Sequence, residues 1–230
     1  MNKNLDLLQK KLGVDFKDLN ILRNALVHRS YINEHKDFVI DHNERLEFLG
    51  DAVLELAVTD HLYRNYPDPE GILTNWRSGL VNATQLATQG ENLGLYDYLY
   101  LSRGEAQDTN KKARSYILAN AMEAVIGAIY LDQGYKTAAK FVKDNILIHL
   151  EKLIADKSYV DAKSLFQEKS QEKVGITPRY KVLSESGPDH HKKFVIGVYL
   201  DKELIAEGEG YSKQEAQTGA AAAALANKGW

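Results

Sequence analysis

The sequence predicts an all-α domain over residues 1–154 and, after a linker at 155–160, an α+β domain over 161–230. Three observations predict this. From residue 5 to about 153 apolar residues recur at helical spacings, as in Leu19, Leu22, Leu26 and in Leu46, Leu49, Val53, Leu56. In 178–184 and 193–200 the pattern changes to the alternation of strands, rich in β-branched and aromatic residues. Between the two regimes ADKSYVDAK, 155–163, keeps neither period.

The elements follow in order. MNKNLDLLQKKLGVDF mixes charged with apolar residues and has no continuous apolar core, so it reads as part of the fold and not as a signal peptide. NERLEFLGDAVLEL, 43–56, is an amphipathic helix. NYPDPEG carries Pro67 and Pro69 and must turn between helices, and LSRGEAQDTNKK, polar and with Gly104, is a second turn. SYILANAMEAVIGAIYLD, 115–132, is an apolar helix too short to span a membrane and interrupted by Glu123. A short helix at 161–173, strands at 178–184, 193–200 and 204–210, and an alanine-rich helix from Lys213 to about 227, capped by Ser212, complete the chain. The order α-β-β-β-α makes a two-layer domain, with two helices covering one face of a three-stranded sheet.

Composition excludes some functions. The 230 residues contain no cysteine, so a disulfide framework, a thiolate metal site and a thiol nucleophile are all ruled out, and an intracellular compartment fits best. The formal net charge is −3, so any surface for nucleic acid has to be local.

Two features carry chemistry. Glu44, Glu47, Asp51 and Glu55 fall on one face of the 43–56 helix, opposite Leu46, Leu49, Val53 and Leu56. A solvated polar face would look similar. Yet the stripe is all acidic, which costs helix stability, and Phe48 beside it needs a second surface such as a partner subunit. Glu123 shares a helix face with Asn120 and Gly127, and its surroundings are apolar. A lone buried carboxylate needs a counter-charge, either an arginine or a metal. If the two helices cross at the stripe, Glu47, Asp51, Glu123 and the Asn120 amide oxygen form an all-oxygen site suited to Mg²⁺ or Mn²⁺.

NERLEFLGD closely resembles the signature of bacterial ribonuclease III. ALVHRSYINE at 25–34, PDPEG at 67–71 and MEAVIGAIYLD at 122–132 agree with it in order. The resemblance covers essentially the whole chain and extends to the double-stranded-RNA-binding domain of that family. It implies an all-α endonuclease domain, with Asp51 and Glu123 catalytic and Glu47, Asn120, Asp51 and Glu123 around Mg²⁺, for which Mn²⁺ can substitute. Glu44 and Glu70 match acidic positions near the site, and Phe48 matches the aromatic that enters a socket on the partner. A cytoplasmic homodimer without organic cofactor or membrane is implied. It would cut double-stranded RNA to 5′-phosphate and 3′-hydroxyl ends with short 3′ overhangs, in processing of ribosomal and messenger precursors.

Asn120 departs from the pattern, since the family has Asp there; an amide brings neither negative charge nor a proton acceptor. The alternative is therefore a weakened or inactive RNA-binding scaffold. In the second domain the resemblance assigns RNA contacts to Gln167 and Glu168 on the first helix, His190 between strands and Lys213 at the start of the last helix. Duplex RNA is read by shape over about 16 base pairs, which needs these three elements. Gln214 replaces the family's second lysine, and charges beyond residue 160 roughly cancel, so modest affinity with a shallow salt dependence is expected.

Overall fold

The computed structural model describes residues 3–156, 162–188 and 192–230. The chain forms two compact units, Met1–Tyr159 and Val160–Trp230.

The first unit is helical: α1 Leu5–Leu12, α2 Leu19–Ala25, α3 Arg29–Glu34, α4 Glu44–Asn65, α5 Glu70–Val81, α6 Ala83–Asn92, α7 Arg103–Gln107, α8 Lys111–Gln133, α9 Tyr135–Asn145 and α10 Leu150–Ala155. Its centre is α8, whose residues from Leu118 to Ile129 are almost all buried, with α2, α4, α6 and α9 packed around it. LSRGEAQDTNKK is not wholly a turn: Ser102 accepts a hydrogen bond from the Glu105 N–H and caps the five-residue α7. The proline turn is as expected, with Pro69 leading into α5.

One apolar position on α4 departs from the periodic reading. Leu46, Val53, Leu54, Ala57, Val58 and Leu62 are buried, but Leu56 is 55% exposed. The core takes the face centred on Gly50 and Ala57, so Leu56 falls on the flank with Phe48 and Tyr63, which are 82% and 79% exposed. Heptad spacing alone cannot separate these two apolar faces.

The second unit holds α11 Ala162–Val174, β1 Arg179–Ser186, β2 Lys193–Leu200, β3 Glu203–Gly210 and α12 Lys213–Lys228. The strands form an antiparallel meander in the order β1-β2-β3. Helix α12 lies on β2 and β3, and α11 packs on α12, contributing the fully buried Phe166 to a core with Val198 and Ala220. A Cβ on Gly208 would stand 2.1 Å from the Ala220 nitrogen, so α12 rests directly on strand backbone. The small residues of the alanine run serve this close contact. Ser212 caps α12 by accepting from the Glu215 N–H at 3.1 Å, while the Glu215 carboxylate accepts from the Tyr211 N–H at 2.8 Å. The expected linker overlaps 157–161, outside the described residues.

Candidate active site

The site begins with two glycines. A Cβ on Gly50 of α4 would lie 1.8 Å from the carbonyl oxygen of Glu123, and one on Gly127 of α8 would lie 2.3 Å from that of Leu46. Both helices therefore touch backbone to backbone, which only residues without a side chain permit. Glu47 and Asp51, on either side of Gly50, are thereby set against Asn120 and Glu123.

Asn43 fixes the start of α4. Its buried amide donates to the Ala25 carbonyl at 3.1 Å, and its backbone N–H donates to the Val27 carbonyl at 2.9 Å. At the other end of α8, Asp132 accepts from the N–H groups of Lys17 and Asp18 at 2.8 and 2.9 Å, which with Gln133 holds its carboxyl below the usual range despite burial. In ALVHRSYINE, Ser30 accepts from the Ser102 N–H at 3.1 Å and Glu34 from the Arg103 N–H at 3.0 Å, so that motif anchors α7.

Electrostatics single out two acids. Burial, then the charges of Asp51 and Glu47, push the Glu123 carboxyl up to about 7. Burial, then Glu44, also raises Glu47, against a hydrogen bond from Asn120. Among the described residues the nearby ion pairs go elsewhere, Glu44 to Arg29 at 3.6 Å and Glu55 to Arg77 at 2.9 Å, and the His42 ring lies 3.7 Å from Glu44. Glu47, Asp51 and Glu123 form no ion pair among the described residues. Carboxylates facing one another without a cation repel, and each proton or cation that enters relieves them.

Glu47, Asp51, Asn120 and Glu123 are thus brought to one stretch of the α4–α8 contact. Among the described residues no three acidic or histidine side chains stand close enough to hold one ion, so the carboxylates face one another without closing into a chelate. Their mutual repulsion opposes closure. The Asn120 amide donates to the Glu47 carboxylate, which leaves its oxygen as a remaining acceptor. Glu44 sits at the edge, shared with Arg29 and His42. Glu70, the first residue of α5, lines a separate cleft of about 650 Å³ with Tyr63, Tyr66 and Arg77.

The sequence reading singles out neither Gly50 nor Asn43 as a site residue. A glycine in the middle of a helix costs about 1 kcal/mol relative to alanine, and that cost is the signal that a close approach requires it.

In the second unit Gln167 and Glu168 are exposed on α11, as an RNA-facing surface requires. Lys213 opens α12, and its ammonium lies 3.5 Å from Glu185. His190 lies outside the described residues.

Known proteins give a family context for both units. A family model described as Ribonuclease-III-like matches residues 18–150, and one described as double-stranded RNA binding motif matches 162–228. A relative named Ribonuclease 3 from Dehalococcoides mccartyi is 43% identical over 220 residues, covering 95% of this chain and 92% of its own. The chain belongs to the ribonuclease III family. Another family member, Ribonuclease 3 from Protochlamydia amoebophila, is 45% identical over 219 residues, 95% of this chain and 89% of its own. The nuclease domain of ribonuclease III from Campylobacter jejuni superposes with a TM-score of 0.55 at 38% identity, covering 66% of this chain and 96% of that domain. A second structure of that domain, described for flexibility in a region involved in dimer formation, has a TM-score of 0.54 at 37% identity, covering 62% and 98%.

As a ribonuclease III family member the chain is an endoribonuclease, a hydrolase that acts on double-stranded RNA, and it carries the family's RNA-binding domain. The family depends in general on a divalent metal. Among the described residues no helix is long and apolar enough to cross a membrane.

Proposed function

We propose that the protein cleaves double-stranded RNA with Mg²⁺, leaving 5′-phosphate and 3′-hydroxyl ends with short 3′ overhangs, in maturation of ribosomal and messenger precursors. The observation that carries this reading is the trio Glu47, Asp51 and Glu123, opposed across a backbone contact with no ion-pair partner among the described residues. Hard oxygen donors of like charge fit Mg²⁺ or Mn²⁺, and Glu47, Asp51 and Glu123 are the residues that would hold it. Bound there, a divalent ion supplies charge stabilisation for phosphodiester hydrolysis.

The chain's own groups do the rest. The α4–α8 contact orients the three carboxylates, and the Asn120 amide steadies Glu47 without adding a fourth charge. In the hydrolysis itself water adds to phosphorus, the P–O3′ bond breaks, and the 3′ oxygen leaves as a hydroxyl after taking a proton.

A homodimer fits the same reading. Phe48, Leu56 and Tyr63 make an exposed apolar flank along α4, a surface that a second copy would cover. Two sites in one dimer would cut the two strands. Asn120 favours the alternative of a binding scaffold, but the retained carboxylates weigh against it, because a chain without catalytic duty gains nothing from their repulsion.

Incubating the full chain with a long RNA duplex and Mg²⁺ tests the proposal. Short duplexes with 5′-phosphates and 3′ overhangs are expected. Full-length RNA after prolonged incubation with Mg²⁺ and with Mn²⁺ would overturn it.

A further inference from the structure

Glu185 of β1 faces two lysines from different parts of the second unit. Its Oε2 lies 3.4 Å from the ammonium of Lys192, one residue before β2, and its Oε1 lies 3.5 Å from that of Lys213, the first residue of α12. Glu185 is paired across the strands with Phe194, and the Lys213 ammonium also sits 5.5 Å from the centre of the Phe194 ring. Lys213 is therefore held from two sides, by a carboxylate and by an aromatic face.

We infer that Glu185 is a positioning residue for RNA binding: one carboxylate sets the Lys192 and Lys213 ammonium groups for phosphates of an RNA duplex. The inference rests on the second unit being the duplex-binding domain. An ammonium has three N–H donors, so a lysine engaged with Glu185 still has donors for a phosphate oxygen.

The opposite role, an acid that competes with RNA for the lysines, is weaker on magnitudes. In salt, a carboxylate about 7 Å from a phosphate in water alters binding by less than about twofold. Ordering a free lysine side chain can cost up to about thirtyfold, so recovering even part of it for two lysines outweighs the repulsion. Removing a negative charge from an RNA-binding surface should therefore weaken binding, contrary to what net charge predicts.

The test uses the full chain, a labelled duplex of about 20 base pairs and EDTA to prevent cleavage, with Kd measured across a range of KCl. Glu185→Ala is expected to weaken binding about fivefold at every salt concentration with the log-log slope unchanged, and Glu185→Gln, which keeps an oxygen acceptor, about twofold. In a Lys192→Ala, Lys213→Ala background the Glu185→Ala effect should shrink to less than about 1.5-fold, since coupled residues are not additive. An equal loss in that background would show a purely structural role and overturn the inference. So would tighter binding with a steeper slope, or no change in either Glu185 variant. Failure of the unsubstituted chain to bind the duplex would instead overturn the RNA-binding reading, and this inference with it.

Discussion

In the helical unit Glu47, Asp51 and Glu123 repel one another and form no ion pair among the described residues, whereas in the second unit lysines and acids are shared out in pairs. Lys193 meets Glu209, Lys228 meets Glu203, and Glu185 serves both Lys192 and Lys213. Exposed pairs of this kind contribute only about 0–1 kcal/mol each, so they shape a surface more than they stabilise it. The three acids of the first unit are the reverse case: their repulsion costs stability in the metal-free protein, and a bound cation would relieve it. Like charges thus collect at one helix contact of the first unit, while the second unit sets its lysines and acids in pairs of opposite sign.

Removing one of the three acids should give the largest effect. Glu123→Gln is expected to lower the cleavage rate by about 10³-fold, the loss of several kcal/mol of charge stabilisation, in a single-turnover assay on duplex RNA. The same change should stabilise the metal-free protein. Because the Glu123 carboxyl is raised to about 7, the folded protein keeps a proton that the unfolded chain gives up above about 4.5. Stability is therefore highest below that window, falls as pH rises through it and carries the full penalty above about 7. Allowing for partial exposure, the stability gain of Glu123→Gln over the unsubstituted chain should grow by about 2 kcal/mol between pH 5 and pH 8, as read from urea unfolding in EDTA. A pH-independent difference would count against the raised carboxyl.

Next in size is the helix contact that sets the acids against one another. Gly50→Ala places a methyl group where no Cβ fits, and a loss of about 3 kcal/mol or more is expected together with loss of activity. An unchanged unfolding midpoint would mean that the helices do not touch there. Asn120→Asp sharpens the comparison further: it replaces a donor to Glu47 with a fourth like charge, so metal-free stability should drop by about 1 kcal/mol while the Mg²⁺ needed for half-maximal cleavage falls. Identical Mg²⁺ titrations for the two forms would sink that expectation. The smallest effect belongs to the paired surface. Gln214→Lys beside Lys213 should steepen the log-log salt dependence of duplex binding by about one, with a few-fold gain in affinity at low salt.

How much of this was legible in the sequence differs element by element. The helical and strand periods, the cap at Ser212 and the acidic stripe are local patterns, and the structure keeps them. Glu123 among apolar neighbours was legible as an anomaly because burial of a lone carboxylate is costly wherever it occurs. The role of Leu56 was not legible: two apolar faces on one helix share a period, and only packing decides which meets the core. Nor was the direction of the Asn120 amide, which depends on where Glu47 lies across a helix pair, or the placement of Glu70 in a separate cleft.

By itself the sequence determined the fold classes, the two-part organisation and the residue types able to hold a divalent cation, because helix period, strand alternation and side-chain chemistry act over a few neighbouring residues. The tertiary structure alone decided that Gly50 lies against the backbone of Glu123 and that one carboxylate, Glu185, reaches lysines on two elements. Those facts join residues far apart in the chain, and the free energy that brings them together comes from burying whole helix and sheet faces, which no short window of sequence contains.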